Sequence, residues 1–122
     1  AAARMSQRTP EEVATRAQAM VDAARAAATV PLQTAEACVR ALEVALEVAS
    51  VGNKNAVSDA GVAVWLARSG VEGGALNVRI NLKDLPAEEG AALTSRVERA
   101  RSRAVDLHAS CLERVNRRMA EA

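Results

Sequence analysis

Apolar residues recur every three or four positions along most of the chain, the spacing that places side chains on one face of an α-helix. A helix start is predicted at Thr9, with Pro10 at the first helical position and Glu12 completing a capping box. Because proline lacks an N–H and restricts the preceding residue, we expect Pro31 to break or kink the chain between two helices. The two apolar stripes are Val13, Ala17, Met20, Ala24 and Ala27, and then Leu32, Ala35, Val39, Leu42, Leu46 and Ala49.

A polar block interrupts the helical pattern at residues 52–61. Gly52 is expected to follow the second helix with a positive φ, and Ser58 or Asp59 to cap the next one. From Asp59 to about Arg68 the sequence is apolar nearly all round, which predicts a short helix buried on several sides.

Two further breaks shape the second half of the chain. Glycines at residues 69–74 predict the first, and Pro86 ends the segment that follows it. Residues 75–83 could form a strand by propensity, but we favour a helix because no second strand exists to pair with it. A long final helix is predicted from about residue 87 to residue 119. The sequence therefore predicts an all-α bundle of about five helices, the central ones short and interrupted by glycine.

Composition narrows the class of protein. The 122 residues fit one domain, and half of them are apolar, with one Trp and no Phe or Tyr. A net charge of +1 and the lack of aromatic stacking platforms argue against nucleic-acid binding. No segment is apolar enough for a membrane span. Cys38 and Cys111 are isolated and there is one His, so we expect no metal site and a cytoplasmic protein with reduced thiols.

The polar block is also the first candidate site. Asn53, Asn55, Ser58 and Asp59 precede an apolar segment, where unpaired polar groups are costly to bury. A helix–helix connection is the plain alternative, but it needs fewer such residues. Asn77 and Asn81 stand one turn apart farther along the chain, and hydrogen bonding between helices is the alternative to a binding role for them.

Three segments together resemble the cyclodeaminase domain of the formiminotransferase-cyclodeaminase family and the related bacterial methenyltetrahydrofolate cyclohydrolases. They are Pro31-Leu32, the Gly-Asn-Lys-Asn-Ala-Val-Ser-Asp-Ala-Gly block at 52–61, and Leu-Asn-Val-Arg-Ile-Asn-Leu at 76–82. The resemblance implies an all-helical bundle that forms a homodimer or larger assembly. The family's Gly-rich N-terminal segment does not occur here, so we expect residues 1–122 to be the later part of such a domain.

The resemblance also implies chemistry on tetrahydrofolate, which serves as the carrier of the one-carbon unit, with no metal. The reaction is cyclodeamination of 5-formimidoyltetrahydrofolate, hydrolysis of 5,10-methenyltetrahydrofolate to 10-formyltetrahydrofolate, or both. Asp59 is the candidate acid–base residue, with a helix N-cap as its alternative role. The candidate substrate-binding residues are Asn53, Lys54, Asn55, Ser58, Asn77, Arg79 and Asn81.

For several side chains, a structural or solvated role is the alternative to a role in folate binding. Lys54 and Arg79 could meet folate carboxylates or remain solvated. Trp65 is expected in the core, and His108 is expected to be structural. The rival to a folate enzyme is a non-catalytic helical dimerisation or interaction module, in which the polar block serves as a connector.

Overall fold

The computed structural model describes residues 8–121, which form three long helices and one short helical turn. Helix α1 is Pro10–Val51, helix α2 is Val57–Ile80 and helix α3 is Ala87–Ala120. A 3-10 turn, Lys54–Ala56, joins α1 to α2. At 1.5 Å per residue the three helices are about 63, 36 and 51 Å long. The all-α prediction is confirmed, but the expected count of about five helices is wrong.

Each helix contacts the other two, and α2 runs against the direction of its neighbours. Asn81, just after the end of α2, reaches Ala27 in the first half of α1. Arg118, in the last turn of α3, reaches Gly52 at the end of α1. None of the helices described between residues 8 and 121 is long and apolar enough to cross a membrane.

Pro31 lies inside α1 and does not break it. A proline leaves the carbonyl four residues earlier without its helical donor, and here that carbonyl belongs to Ala27. The side-chain Nδ2 of Asn81 donates to the Ala27 carbonyl at 3.3 Å and to the Asn77 carbonyl at 2.8 Å. The two helices predicted on either side of Pro31 are one helix, and the neighbouring segment supplies a donor for the freed carbonyl.

The glycines of α2 do not break it either, because two of them fit against α1. A Cβ atom on Gly74 would lie 2.6 Å from the Pro31 carbonyl oxygen and 3.0 Å from the Ala35 Cβ. At Gly70 a Cβ would overlap the Sγ of Cys38. The predicted short helix and the break after it are therefore wrong. Residues 75–80 are helical as predicted, but α2 ends at Ile80, before Pro86.

The connector also differs from the prediction. Gly52 has φ −72° and ψ 172°, so it is extended and does not use the left-handed region. Ala56 is the N-cap residue of α2 and forms no side-chain capping bond. Ser58 and Asp59 lie in the first turn of α2, so neither is its N-cap. The predicted start of α1 and the predicted range of α3 are confirmed: the Thr9 hydroxyl accepts from the Glu12 amide at 3.1 Å, and α3 covers the expected residues.

The core lies between the three helices and consists mainly of Ala, Val and Leu. The second predicted stripe is buried apart from Leu46, which is half-buried. Of the first stripe only Ala24 is buried, and residues 10–20 are all exposed. The start of α1 therefore makes no part of the core described here.

Candidate functional site

The polar block forms a shallow cavity at one end of the bundle. Lys54, Asn55 and Ser58 line it together with Arg118 and Met119, and its volume is about 330 Å³. The Lys54 Nζ donates to the Glu121 carbonyl at 3.3 Å. Lys54, Asn55 and Ser58 are all exposed. These three predicted residues therefore lie together in the structure, but they do not form a buried site.

Asn53 turns towards its own backbone. Its side-chain oxygen accepts from the amide of Asn55 at 2.9 Å and caps the 3-10 turn. This is the usual role of an Asn at the start of a helical turn. Among the block's uncharged polar residues Asn53, Asn55 and Ser58, Asn53 is the one whose side chain forms a hydrogen bond within residues 8–121.

Arg118 also lines this cavity, although the sequence analysis did not name it as a candidate residue. Its guanidinium donates to the carbonyls of Ala49 and Gly52 at 3.0 and 2.8 Å. The end of a helix leaves carbonyls without partners, and cations are favoured there. The last turn of α1 contains no basic residue of its own, and this absence was the one sequence signal that a distant donor was needed.

Asp59 lies at the edge of an apolar groove between α1 and α2. The groove has a volume of about 450 Å³, and Asp59 is its only charged lining residue. The Asp59 carboxylate is exposed, whereas the sequence predicted a buried helix at this point. The remaining lining residues are all Ala or Val: Ala41, Val44, Ala45, Val48, Ala56, Ala60 and Ala63.

Asn77 and Asn81 line a second and larger groove between the same two helices. Its volume is about 760 Å³, within the range typical of small-molecule sites. Pro31 and the glycines at 70, 73 and 74 form much of its floor, so backbone lies close to the surface there. Both N–H groups of the Asn81 amide are used in hydrogen bonds, whereas the Asn77 side chain has no hydrogen-bond partner among residues 8–121.

The predicted site residues are not assembled within one chain. Asp59 and Asn77 face the same side of α2, since 18 residues make five full turns, but they are about 27 Å apart along its axis. They line different grooves. Within one chain, Asp59 therefore shares no groove with Asn77 and Asn81. Arg79 is two residues from Asn77 and lines neither groove, because residues two apart do not share a helix face.

Trp65 and His108 form a contact between α2 and α3. Their rings meet edge to face with centroids 4.5 Å apart and an interplanar angle of 86°. Trp65 is 58% exposed, so its predicted place in the core is wrong. Burial, and secondarily the charge of Arg68, lowers the pKa of His108. No group of three His, Cys, Asp or Glu side chains placed to hold a metal ion occurs in the part of the chain that the structure describes.

The fold and grooves define an all-helical protein whose surface offers cavities of small-molecule size. The chain matches the family described as formiminotransferase-cyclodeaminase over residues 1–114, and it belongs to that family.

Known relatives include enzymes with two different names. The chain is 44% identical over 77 residues to a methenyltetrahydrofolate cyclohydrolase of Methylorubrum extorquens, a match that covers 63% of this chain and 37% of that protein. It is 39% identical over 84 residues to the formimidoyltransferase-cyclodeaminase of Mus musculus, which covers 69% of this chain and 16% of that protein. The matched regions thus span well under half the length of these curated relatives.

Proposed function

We propose that this chain is part of a folate one-carbon enzyme. The observation that carries the proposal is the family match over residues 1–114, together with relatives named methenyltetrahydrofolate cyclohydrolase and formimidoyltransferase-cyclodeaminase, which suggest two candidate reactions. One reaction closes 5-formimidoyltetrahydrofolate to 5,10-methenyltetrahydrofolate with loss of ammonia. The other hydrolyses 5,10-methenyltetrahydrofolate to 10-formyltetrahydrofolate.

Both reactions need a group that moves protons to and from nitrogen. In cyclodeamination, N10 attacks the formimidoyl carbon and loses its proton, and the C–N bond to the departing ammonia breaks after that nitrogen is protonated. In hydrolysis, water attacks the methenyl carbon and loses a proton, and the bond from that carbon to N5 breaks as N5 is protonated. Asp59 is the proposed carrier of these protons, since one carboxylate can accept a proton and return it.

The walls around Asp59 suit this role. The methenyl carbon is part of a cationic amidinium group, which a carboxylate stabilises. The groove around Asp59 is otherwise lined by Ala and Val, so a seated substrate would exclude water from the carboxylate. The attraction between the two charges is stronger where water is excluded.

Asn77 and Asn81 are the proposed pterin-binding residues. A pterin edge presents N–H donors beside a carbonyl acceptor. The Asn81 side-chain oxygen remains available to a ligand because its hydrogen bonds in the chain use only Nδ2. The Asn77 amide offers one acceptor and two donors in the same groove.

The connector residues and Arg79 complete the proposal. Lys54 and Arg79 are proposed to meet the carboxylates of the folate glutamate tail, since both are exposed cations. Asn53, Asn55 and Ser58 are proposed to contact the substrate near Lys54, with Asn53 acting through the shape of the turn that it caps.

A non-catalytic helical interaction module is the second candidate function. The observation that favours it is the separation of about 27 Å between Asp59 and Asn77 within one chain. Such a module would keep the helical fold and associate with another protein or another copy without turning over folate.

Near-ultraviolet absorbance tests the proposal, because methenyltetrahydrofolate absorbs there and both reactions change its concentration. The Asp59 side chain forms no hydrogen bond among residues 8–121 and does not cap α2, so Asp59→Asn should leave the melting temperature nearly unchanged. Turnover should fall by about 10²–10⁴-fold. Asp106→Asn, an exposed Asp on α3, is the matched control and should keep normal turnover. Normal turnover in Asp59→Asn would remove Asp59 from the mechanism, and no turnover by the unmodified chain would favour the interaction module.

A further inference from the structure

Thr34 lines the larger groove between α1 and α2, where the proposed pterin-binding residues Asn77 and Asn81 also lie. Its Oγ1 donates to the Val30 carbonyl at 3.1 Å. A hydroxyl group has one proton and two lone pairs, so the Thr34 oxygen is left as a hydrogen-bond acceptor. None of the described residues that line the groove is charged. The groove therefore offers neutral hydrogen-bonding groups, and one of them, Thr34, presents only an acceptor.

The packing of α1 against α2 places Thr34 opposite a stretch of glycines. Cβ atoms added at residues 70 and 74 would meet α1 between residues 31 and 38, so this part of α2 lies level with Thr34. Asn77 lies three residues beyond the last of these glycines, about 4.5 Å farther along the helix axis. Thr34 and Asn77 thus stand on the two walls of the groove, less than one helical turn apart along it, with glycine backbone between them.

Gly73 has no packing reason within the described part of the chain. Glycine is a poor helix former, and Gly70 and Gly74 are each needed because a side chain there would strike α1. A Cβ on Gly73 would meet no atom of residues 8–121 within 4 Å, although Gly73 lines the groove. A side chain at this position would therefore project into the groove. Without one, the backbone gives a flat surface that a planar ring can approach closely.

We propose that Thr34 selects a ligand with an amino group next to a ring amide, as in the pterin ring of folate, and that this ring lies over Gly73. The inference deepens the proposed function and rests on it for the class of ligand. In a pterin the ring amide consists of N3–H and the C4 carbonyl, and the 2-amino group is beside N3. The Asn77 side chain can pair with this amide, since its oxygen accepts and its nitrogen donates. The 2-amino group then donates to the Thr34 oxygen.

The Thr34 acceptor distinguishes two kinds of pteridine. A 2-amino group brings a proton to the Thr34 oxygen. A 2-oxo group brings a second acceptor, which can be satisfied only if the hydroxyl gives up its bond to the Val30 carbonyl. The groove should therefore prefer 2-amino-4-oxopteridines over 2,4-dioxopteridines. Guanine shares the amino group and the ring amide, so it is the alternative source of the same chemistry.

Binding of two small pteridines tests the role of Thr34. The probes are 6,7-dimethylpterin and 6,7-dimethyllumazine, which carry an amino group and an oxo group at C2, and NMR titration gives both dissociation constants. The unmodified chain should bind the pterin about three to ten times more tightly, as expected for one hydrogen bond between neutral groups. Thr34→Val keeps the shape of the side chain and should remove this preference by weakening pterin binding. Thr34→Ser keeps the hydroxyl and should retain the preference.

Thr29→Val is the matched control. The Thr29 Oγ1 also donates to the carbonyl four residues earlier, that of Arg25, at 2.7 Å, but Thr29 lines neither groove. This variant should bind both probes as the unmodified chain does. A preference that survives Thr34→Val overturns the role of Thr34, and so does an unmodified chain that binds neither probe or shows no preference. Guanosine that binds more tightly than the pterin overturns the assignment of the groove to a pteridine.

Gly73→Ala tests the position of the ring. The added methyl group should raise the free energy of unfolding, since alanine is a better helix former than glycine. It should also weaken pterin binding by at least about fivefold, because it would intrude on the contact between the backbone and the ring. An unchanged pterin affinity in the folded variant would mean that the ring does not lie over Gly73, and would overturn this part of the proposal.

Turnover of methenyltetrahydrofolate separates this inference from the proposed function. Turnover by an unmodified chain that shows no pterin preference would support the folate enzyme and remove Thr34 from its specificity. A pterin preference that depends on Thr34, in a chain without turnover, would support the specificity of the groove and contradict the enzymatic function.

Discussion

Two adjacent glycines of α2 should respond to alanine in opposite directions. Gly73→Ala adds a methyl group where no atom lies within 4 Å, whereas Gly74→Ala adds one 2.6 Å from the Pro31 carbonyl oxygen. Ordinary contact begins near 3.4 Å, so α1 and α2 would have to separate by about 0.8 Å at this point. That oxygen belongs to the backbone of a long helix and cannot rotate away as a side chain would.

The magnitudes follow from two terms. Replacing glycine by alanine inside a helix favours folding by about 1 kcal/mol, and this gain is common to both variants. Forcing an extra methyl group into a close-packed contact costs about 1–3 kcal/mol, and this cost falls on Gly74→Ala alone. Gly73→Ala should therefore raise the free energy of unfolding by up to about 1 kcal/mol. Gly74→Ala should lie about 1–3 kcal/mol below it.

Urea unfolding followed by circular dichroism gives both free energies. The two variants are compared with the unmodified chain at one protein concentration. A change in the urea midpoint with an unchanged slope would identify a change in stability alone. Equal stabilisation by the two substitutions would refute the reasoning, because it would mean that α1 and α2 do not approach closely at Gly74.

Two further predictions concern the polar contacts of the bundle. Asn81→Ala should destabilise the chain by about 0.5–1.5 kcal/mol. The loss should be smaller in the Pro31→Ala background, where the Ala27 carbonyl regains a helical donor. A double-mutant cycle of unfolding free energies measures this coupling, and equal losses in both backgrounds would contradict it. Burial and the charge of Arg68 lower the pKa of His108 from its usual 6.5, so His108 binds a proton more readily in the unfolded chain than in the folded one. The stability of the fold should therefore be constant above about pH 6.5 and fall as the pH decreases below that value. His108→Gln should reduce this acid-side loss in thermal melts, and an unchanged pH profile would argue against the assignment.

The helical character of the chain was predictable because apolar spacing reports the face that each helix buries. Leu32, Val39 and Leu42 were assigned to one apolar stripe on this basis, and they are buried. The spacing could not reveal how far α1 extends beyond its neighbours. Val13 has the same spacing as the buried residues and is exposed, because no described element lies opposite it.

The breaks were mispredicted because local rules omit the neighbouring helix. Pro31 and Gly74 are both unfavourable in an isolated helix. In the bundle, Asn81 donates to the carbonyl freed by the proline, and α1 needs the space left by the glycine. Neither partner is close in sequence, so no window along the chain could have shown them.

Only part of the grouping of the candidate residues could be predicted from the sequence. Asn77 and Asn81 do share a groove, as their spacing of one turn indicated. Asp59 lies in a different one, because an unbroken α2 carries it about 27 Å away. The predicted break at residues 69–74 would have allowed the chain to fold back, whereas the continuous α2 keeps the two grooves apart.

The hydrogen bonds from Arg118 to the end of α1 determine whether the polar block would keep its conformation in another protein. The carbonyls that Arg118 binds lie 66 and 69 residues away along the chain, and Lys54 is tied to a carbonyl 67 residues away. The shape of this short connector is therefore set by long-range contacts as well as by its own sequence. If residues 52–61 were grafted onto another scaffold, they would keep their sequence but lose their conformation, unless the last turn of α3 were transferred with them.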